Sequence, residues 1–334
     1  IVFGDWSSDV CSSDLAWRQA RLEVQRREAL RLRVAQKLAA RVLAEHRRLC
    51  AAAAAGPCLG EAEKLLRGVA ESLTALREEG ESSALQVAHA EQEESGARER
   101  FQANAALLLA SRAELAADLG LDPGAELEAL GEAASPAPAL PELGPLLEGA
   151  LAARPELGEA DLMQEQARLE LKKAWLRLFP NVQLFHSLNH DVNPHLLHRT
   201  WYEAGARITI DLIRVVLGSQ DREAARAQIA RLGSERELAG LNVLLQVRLA
   251  HLEYARALAR LAEAREALER SEWVALELGA QARSGVRTGL ESRQAQAAAL
   301  TARAEWLVQL AEAWAAYREL CAAAGRPQPL EAAR

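Results

Sequence analysis

Four of the seven histidines lie close together, at His186, His190, His195 and His198. Imidazole is a common ligand of zinc and copper ions, so a metal site in a loop is one interpretation. However, the spacing matches no known ligand signature, and no cysteine or carboxylate cluster completes the set. The sequence therefore favours a polar loop, and it predicts neither a bound metal nor a cofactor.

The four cysteines, Cys11, Cys50, Cys58 and Cys321, form no C-x-x-C pair. The sequence therefore supports neither a zinc ribbon nor a thioredoxin motif. Cys50 and Cys58 could pair in an oxidising compartment, or they could be two small residues inside a core. The second interpretation is preferred, and both remain open at this point.

No catalytic motif is present: the chain has no glycine-rich phosphate loop, no H-E-x-x-H and no G-x-S-x-G. Its net charge is −7, and the acidic and basic residues are interleaved along the chain rather than grouped in blocks. Surfaces that bind nucleic acid need clustered Lys and Arg. We therefore expect neither an enzyme nor a nucleic-acid-binding protein.

Long helices dominate the predicted structure. Half of the residues are hydrophobic but only 4% are aromatic, and Ala, Leu, Glu and Arg are strong helix formers. The first helix runs from Ala16, with a small break expected at Gly56-Pro57. A later helix, from about 220 to 279, would span about 90 Å. It carries an apolar stripe that includes Leu245, Leu249 and Leu252.

One region alternates with a period of two, which is typical of strands. Residues 182–188 and 202–212 are separated by a loop and predict an antiparallel hairpin. In the second strand one face is apolar and carries Tyr202, Ala204, Ala206, Ile208 and Ile210. The opposite face is polar and carries Glu203, Arg207 and Thr209.

The two halves of the chain match at an offset of 205 residues. Gly80 corresponds to Gly285, Ser83 to Thr288, Leu85 to Leu290 and Gly120 to Gly325. A repeat of this length is a duplicated helical hairpin rather than a short solenoid unit. Each glycine can adopt a positive φ at a turn, and each hydroxyl can cap the returning helix.

The first fifteen residues differ from the rest of the chain. Residues 5–15 are rich in Ser and Asp, and they resemble the translation of a short-read sequencing adapter. We therefore expect residues 1–15 to be an artefact, Cys11 to carry no biological meaning, and the natural protein to continue upstream of Ala16.

The remaining chain resembles the TolC family of outer-membrane efflux proteins. The resemblance covers residues 16–325 and rests on features that are specific only in combination. Arg154-Pro155-Glu156-Leu157, followed by a helix that ends at Phe179-Pro180, looks like the family's entry into its second repeat. Residues 200–205 through 211–213 look like the strand leading into the next helix, and the turns at Gly80 and Gly285 look like periplasmic tip loops.

The resemblance implies a mostly α fold of long antiparallel helical hairpins, with one β-hairpin contributing to a trimeric transmembrane β-barrel. It divides the chain into a first periplasmic hairpin (16–122), a Pro/Ala-rich linker (123–145), an entry helix (146–179), a barrel hairpin (180–213), a second periplasmic hairpin (214–325) and a tail (326–334). Family members contribute two strand pairs per subunit, whereas this chain has one. We expect the first helix and first strand pair to be missing at the adapter junction.

The implied function is a passive channel of a tripartite efflux or type I secretion system, located in the Gram-negative outer membrane and extending into the periplasm. The implied partners are two further copies of the chain, a periplasmic adaptor protein, an inner-membrane transporter reached through the adaptor, and outer-membrane lipid. The apolar strand face would contact lipid and the polar face would line the lumen.

The resemblance also assigns roles to the tips. Adaptor docking would involve Gly80, Ser83, Leu85, Gly285, Thr288 and Leu290, and the candidate gating charges are Glu81, Arg283 and Arg287. Two other interpretations compete with the channel hypothesis. One is a soluble coiled-coil scaffold. The other is a periplasmic adaptor, although adaptors carry one hairpin flanked by small β-rich domains.

Overall fold

A computed structural model describes residues 5–7, 10–128, 134–176, 181–190, 195, 197, 200–209 and 212–326. Its elements, in chain order, are β1 (Asp5–Ser7), α1 (Val10–Glu78), α2 (Ala84–Asp118), α3 (Leu143–Ala153), α4 (Pro155–Leu176), β2 (Asn181–His190), β3 (Thr200–Thr209), α5 (Leu212–Arg283) and α6 (Gly289–Ala323).

The backbone follows the period of 205 residues seen in the sequence. Helices α2 and α6 are both 35 residues long and begin and end at equivalent positions, as do the ends of α1 and α5. Within the described part of the chain, the glycines with positive φ are Gly80, Gly120, Gly285 and Gly325. They form two pairs at the same offset, so the predicted turns recur in both halves.

Helix α1 continues through Pro57, where the sequence predicted a break. Proline lacks an amide donor and usually ends or kinks a helix. Here Ala51, Ala52 and Ala55 are almost fully buried. Asn104 of α2 donates its Nδ2 hydrogen to the carbonyl of Ala52 at 2.9 Å. Tertiary packing therefore stabilises the helix across the proline, and the Asn104 bond ties this part of α1 to α2.

The sheet has the order β1-β2-β3, and both pairings are antiparallel. The β2–β3 hairpin was predicted. The three-residue strand β1 was not, and it pairs with residues 183–185 of β2. The free edge of β2 has unpaired backbone groups that a short segment can satisfy. The foreign origin expected for residues 1–15 stays a prediction.

The chain divides into two compact units. The first contains Ile1–Val34 and Arg154–Val243, and the second contains Ala35–Ala153 and Leu244–Arg334. In the first unit, ion pairs join α4 to its neighbours: Arg33 of α1 to Glu159 at 3.3 Å, and Arg236 of α5 to Asp161.

In the second unit, α1 packs against α6 around the buried residues Ala55, Leu59, Ala304 and Leu307. Arg48 extends this contact by donating from Nε and Nη2 to the two carboxylate oxygens of Glu312, at 2.8 and 3.0 Å.

The buried face of α5 differs from the predicted stripe. Leu245, Leu249 and Leu252 are exposed, whereas Val247 and Tyr254 are fully buried. Periodicity locates apolar faces but does not say which one meets the rest of the same chain. No helix in the described ranges is long and apolar enough to cross a membrane.

Candidate functional sites: the strand hairpin and the helical turns

The register of the hairpin puts its apolar residues on one face. Leu188 lies opposite Tyr202, and Leu184 lies opposite Ala206. Directly opposed residues share a face, and positions two apart along a strand also share it. Leu184, Leu188, Tyr202 and Ile208 all remain exposed. Of the residues predicted for this face, Ile210 lies outside the described residues.

The opposite face of the hairpin holds polar groups that bond to one another. Glu203 lies opposite Ser187, and Asn189 donates to both, at 3.1 Å to Ser187 Oγ and 3.4 Å to Glu203 Oε2. Arg207 lies over the ring of Phe185, with its guanidinium carbon 6.0 Å from the ring centre. The face predicted to be polar thus carries two aromatic rings, Phe185 and Trp201, which the alternation did not single out.

The structure spreads the described histidines along the hairpin. The ring of His186 stacks on Tyr202 at 6.0 Å. His190 and Thr200 join the strand ends through Nδ1 and Oγ1, 2.8 Å apart. His195 lies in the exposed loop, and His198 lies outside the described residues. No group of three or more His, Cys, Asp or Glu side chains suited to a metal ion occurs among the residues that are described.

The first turn joins α1 to α2 through Gly80, whose φ is +83°. The amide of Glu81 donates to Leu76 O at 2.8 Å, and that of Gly80 donates to Arg77 O at 3.0 Å. This pair of bonds is the Schellman motif that ends helices. Helix α2 then starts with a capping box, in which Ser83 Oγ accepts from the Gln86 amide at 3.2 Å and Gln86 Oε1 accepts from the Ser83 amide at 2.9 Å.

The second turn repeats this geometry. Gly285 has a φ of +76°, and Val286 donates its amide hydrogen to Gln281 O at 3.0 Å. Thr288 Oγ1 accepts from the Glu291 amide at 3.4 Å. The sequence therefore identified both caps and both positive-φ positions from local chemistry alone.

The candidate gating charges are divided between the two turns. Arg287 pairs with Glu291 on its own helix at 3.3 Å, in the (i, i+4) arrangement typical of solvated helix faces. Glu81 and Arg283 lie at the two different turns. The equivalent leucines also differ: Leu85 is 80% exposed, whereas Leu290 packs against a buried cluster.

The Pro-rich linker is tied to helices α5 and α6 by three side chains. Trp314 Nε1 donates to Ser135 O at 2.9 Å, His251 Nε2 donates to Pro141 O at 2.9 Å, and the Tyr254 hydroxyl donates to Pro138 O. Sequence reasoning missed this contact. The available signal was the concentration of rare aromatic residues near the end of α6.

An aromatic and cationic cluster surrounds these anchors. Arg47 and Arg318 both lie over the ring of Trp314, at 4.6 and 5.3 Å. Tyr317 contacts the rings of Trp314 and Tyr254, at 5.9 and 5.3 Å between centres. Burial raises the pKa of the Tyr254 phenol well above its usual value, and it also raises the pKa of the Tyr317 phenol.

Cys50 and Cys58 are not joined by a disulfide in the structure. They lie eight residues apart on one continuous helix, which separates their Cα atoms by about 12 Å. A disulfide requires Cα atoms within about 7 Å of each other. The continuous path of α1 therefore excludes the pairing that the sequence left open, and burial raises the pKa of Cys50.

A cavity of about 480 Å³ lies in the first unit, between α1, α4 and α5. The polar groups that line it bond mostly to one another. Gln166 donates to Glu23 at 3.3 Å, and Gln19 donates to Glu170 at 2.5 Å. The Arg27 hydrogen bond is the largest cause that lowers the pKa of Glu23, followed by the bond from Gln166. The cavity is therefore a polar helix junction rather than a shaped ligand site.

Comparison by sequence finds no matching family model and no matching curated protein. Comparison by structure finds outer-membrane channels. The channel OprN superposes with a TM-score of 0.78 at 17% identity, covering 96% of this chain and 74% of that one. VceC from Vibrio cholerae gives 0.75 at 15% identity, covering 96% and 78%. CmeC from Campylobacter jejuni gives 0.74 at 12% identity, covering 96% and 69%.

These superpositions extend over nearly the whole chain, which includes the strand hairpin and both helical turns. They confirm the predicted fold class of long helical hairpins with one β-hairpin. The chain has the fold of the outer-membrane channels OprN and CmeC and of the outer-membrane protein VceC.

Proposed function

We propose that this chain is a subunit of an outer-membrane channel, a passive export conduit of a tripartite efflux or type I secretion system. The observation that carries the proposal is the exposed apolar face of the hairpin, within a fold shared with such channels. Leu184, Leu188, Tyr202 and Ile208 on this face would contact lipid, together with Ala204, Ala206 and Ile210. Glu203, Arg207 and Thr209 would face the lumen.

The partners proposed for this channel follow from the same fold. Three copies of the chain would share one barrel, an adaptor protein would dock at the turns around Gly80 and Gly285, and an inner-membrane transporter would act through the adaptor. The first turn supports a docking role because a Schellman motif and a capping box hold it rigid. Glu81, Arg283 and Arg287 remain candidate gating charges. The proposed location is the Gram-negative outer membrane, with the helices in the periplasm.

A substitution pair on one strand tests the membrane role. Ala204→Arg, at the centre of β3, puts a charge on the face proposed to contact lipid, where it should cost about 2–4 kcal/mol at mid-membrane depth. Arg207→Ile, on the same strand, changes the lumen face and leaves that lipid contact unchanged. The chain is expressed with a secretion leader, and the protein recovered in washed outer membranes is measured.

We expect Ala204→Arg to reduce outer-membrane recovery at least tenfold and Arg207→Ile to keep it near the parent level. Recovery of the parent chain in the soluble fraction would overturn the channel proposal and favour a soluble scaffold. Equal recovery of both variants would overturn the assignment of the two faces.

A further inference from the structure

Leu290, at the start of α6, covers an apolar cluster of the first helical hairpin. The cluster consists of the buried residues Val69, Ala70 and Ala90, with Leu73 and Leu290 packed against them. Val69 keeps only 1% of its surface exposed. The second hairpin thus supplies the side chain that closes the cluster on the first.

The internal repeat contains a second copy of this cluster. At the offset of 205 residues, Val69, Ala70, Leu73 and Ala90 become Val274, Ala275, Leu278 and Ala295, and all four residue types are the same. The covering residue Leu290 becomes Leu85. Since α1 and α5, and α2 and α6, end and begin at equivalent positions, the second copy builds the same receiving surface.

The second copy is not closed within the chain. Val274 is 39% exposed, in contrast to the 1% of Val69, and Leu85 is 80% exposed. Leu85 belongs to the first hairpin, on α2, and its equivalent Leu290 reaches across to the other hairpin. An apolar side chain and an apolar groove that match each other are therefore both exposed.

Neighbouring positions show complementary sizes. In the covered copy, the small residue Gly68 faces Arg293, whose Nη1 lies 4.0 Å from the place a Cβ atom would take on that glycine. The equivalents are Trp273, which is 66% exposed, and the exposed Ala88. In the second copy, the large residue, Trp273, lies on the receiving helix α5. The small residue, Ala88, lies on the covering helix α2.

We propose that Leu85 of one copy packs between Val274 and Leu278 of the next copy, with Trp273 lying over Ala88. The partner is a second copy of this chain. The contact joins two different surfaces, so repeating it in one direction can close a ring. Further exposed leucines continue both surfaces, namely Leu107 on α2, and Leu249 and Leu252 on α5. This inference rests on the trimer proposed above and names the surface that joins its subunits.

Cross-linking between two differently tagged chains tests the contact. One chain carries Leu85→Cys and the other carries Leu278→Cys, and both are co-expressed and treated with a short thiol-specific cross-linker. The matched control is a single chain with Leu73→Cys and Leu290→Cys, the equivalent pair, which packs against one cluster within the chain. The parent chain reports any reaction of the native cysteines.

We expect the tagged pair to form a cross-linked dimer that carries both tags. The control chain should form a cross-link without a change in molecular mass. Light scattering in detergent measures the assembly independently. Trimers that fail to link residues 85 and 278, while the control pair links, would overturn this interface and leave the channel proposal standing. A chain that stays monomeric in detergent would overturn both.

Discussion

The ring of Phe185 covers the bare Cα of Gly205, the residue directly opposite it across β2 and β3. A Cβ atom on Gly205 would lie 2.6 Å from Cζ of that ring, closer than side-chain atoms normally approach. The glycine therefore lets the ring lie flat on the sheet, beneath the guanidinium of Arg207.

Gly205→Ala should consequently destabilise the hairpin by about 1–3 kcal/mol, because the ring must leave its position. Gly240→Ala is the matched control. That glycine lies inside α5 with open space around it, and replacing it should stabilise the helix by about 1 kcal/mol. Urea unfolding of the folded protein in detergent measures both changes. Adding Phe185→Ala should remove most of the cost of Gly205→Ala, and full additivity of the two changes would contradict the contact.

The linker contact predicts a local change in stability. Trp314→Phe keeps an aromatic ring but removes the Nε1 hydrogen that is donated to Ser135 O, which costs about 1 kcal/mol. Local opening of the linker should then rise about fivefold, and limited proteolysis near residues 134–142 should accelerate by the same factor. Trp17→Phe, at an exposed position of α1, provides the control and should leave the rate unchanged. Equal cleavage rates for both variants would contradict the anchoring role.

Local chemistry made the turns predictable from sequence, and tertiary packing made other features unpredictable. Gly80, Ser83, Gly285 and Thr288 act through bonds within a few residues, so their motifs identified them. Around Pro57, α1 is packed by buried alanines and contacted by Asn104, 47 positions further along the chain. No local pattern reports a contact of that kind.

The two apolar faces of α5 show the same limit of sequence-based prediction. Leu245 and Leu249 formed part of the visible stripe, yet the chain buries Val247 and Tyr254 instead. A helix that packs against its own chain on one face and against a separate surface on a second face carries two apolar faces. Sequence periodicity detects both without assigning either.

Stability should decrease at alkaline pH because of the cluster around Tyr254. Burial raises the pKa values of Tyr254, Tyr317 and Cys321 in the folded state. The folded protein therefore holds these protons more tightly than the unfolded chain. The resulting stability is fully present below the unfolded pKa values, about 8.5 for the thiol and 10 for the phenols, and it is lost as pH rises above them.

Urea midpoints measured between pH 7 and pH 11 should fall steadily above about pH 8.5. Tyr254→Phe should lower the midpoint at pH 7, since the hydrogen bond to Pro138 O is lost. It should also make the decrease at high pH shallower, since one titrating group is gone. A decrease of unchanged steepness in this variant would show that other groups control the alkaline transition.

The first turn allows a test in which two glycine substitutions have opposite signs. Gly80 has a φ of +83° and open space around it, so Gly80→Ala should cost about 1–2 kcal/mol through backbone strain alone. Gly96 lies inside α2, also with open space, so Gly96→Ala should stabilise the protein by about 1 kcal/mol. Urea unfolding of both variants measures the difference. Because neither new methyl group meets a neighbour within the chain, changes of the same sign would mean that the left-handed conformation of Gly80 does not hold the turn.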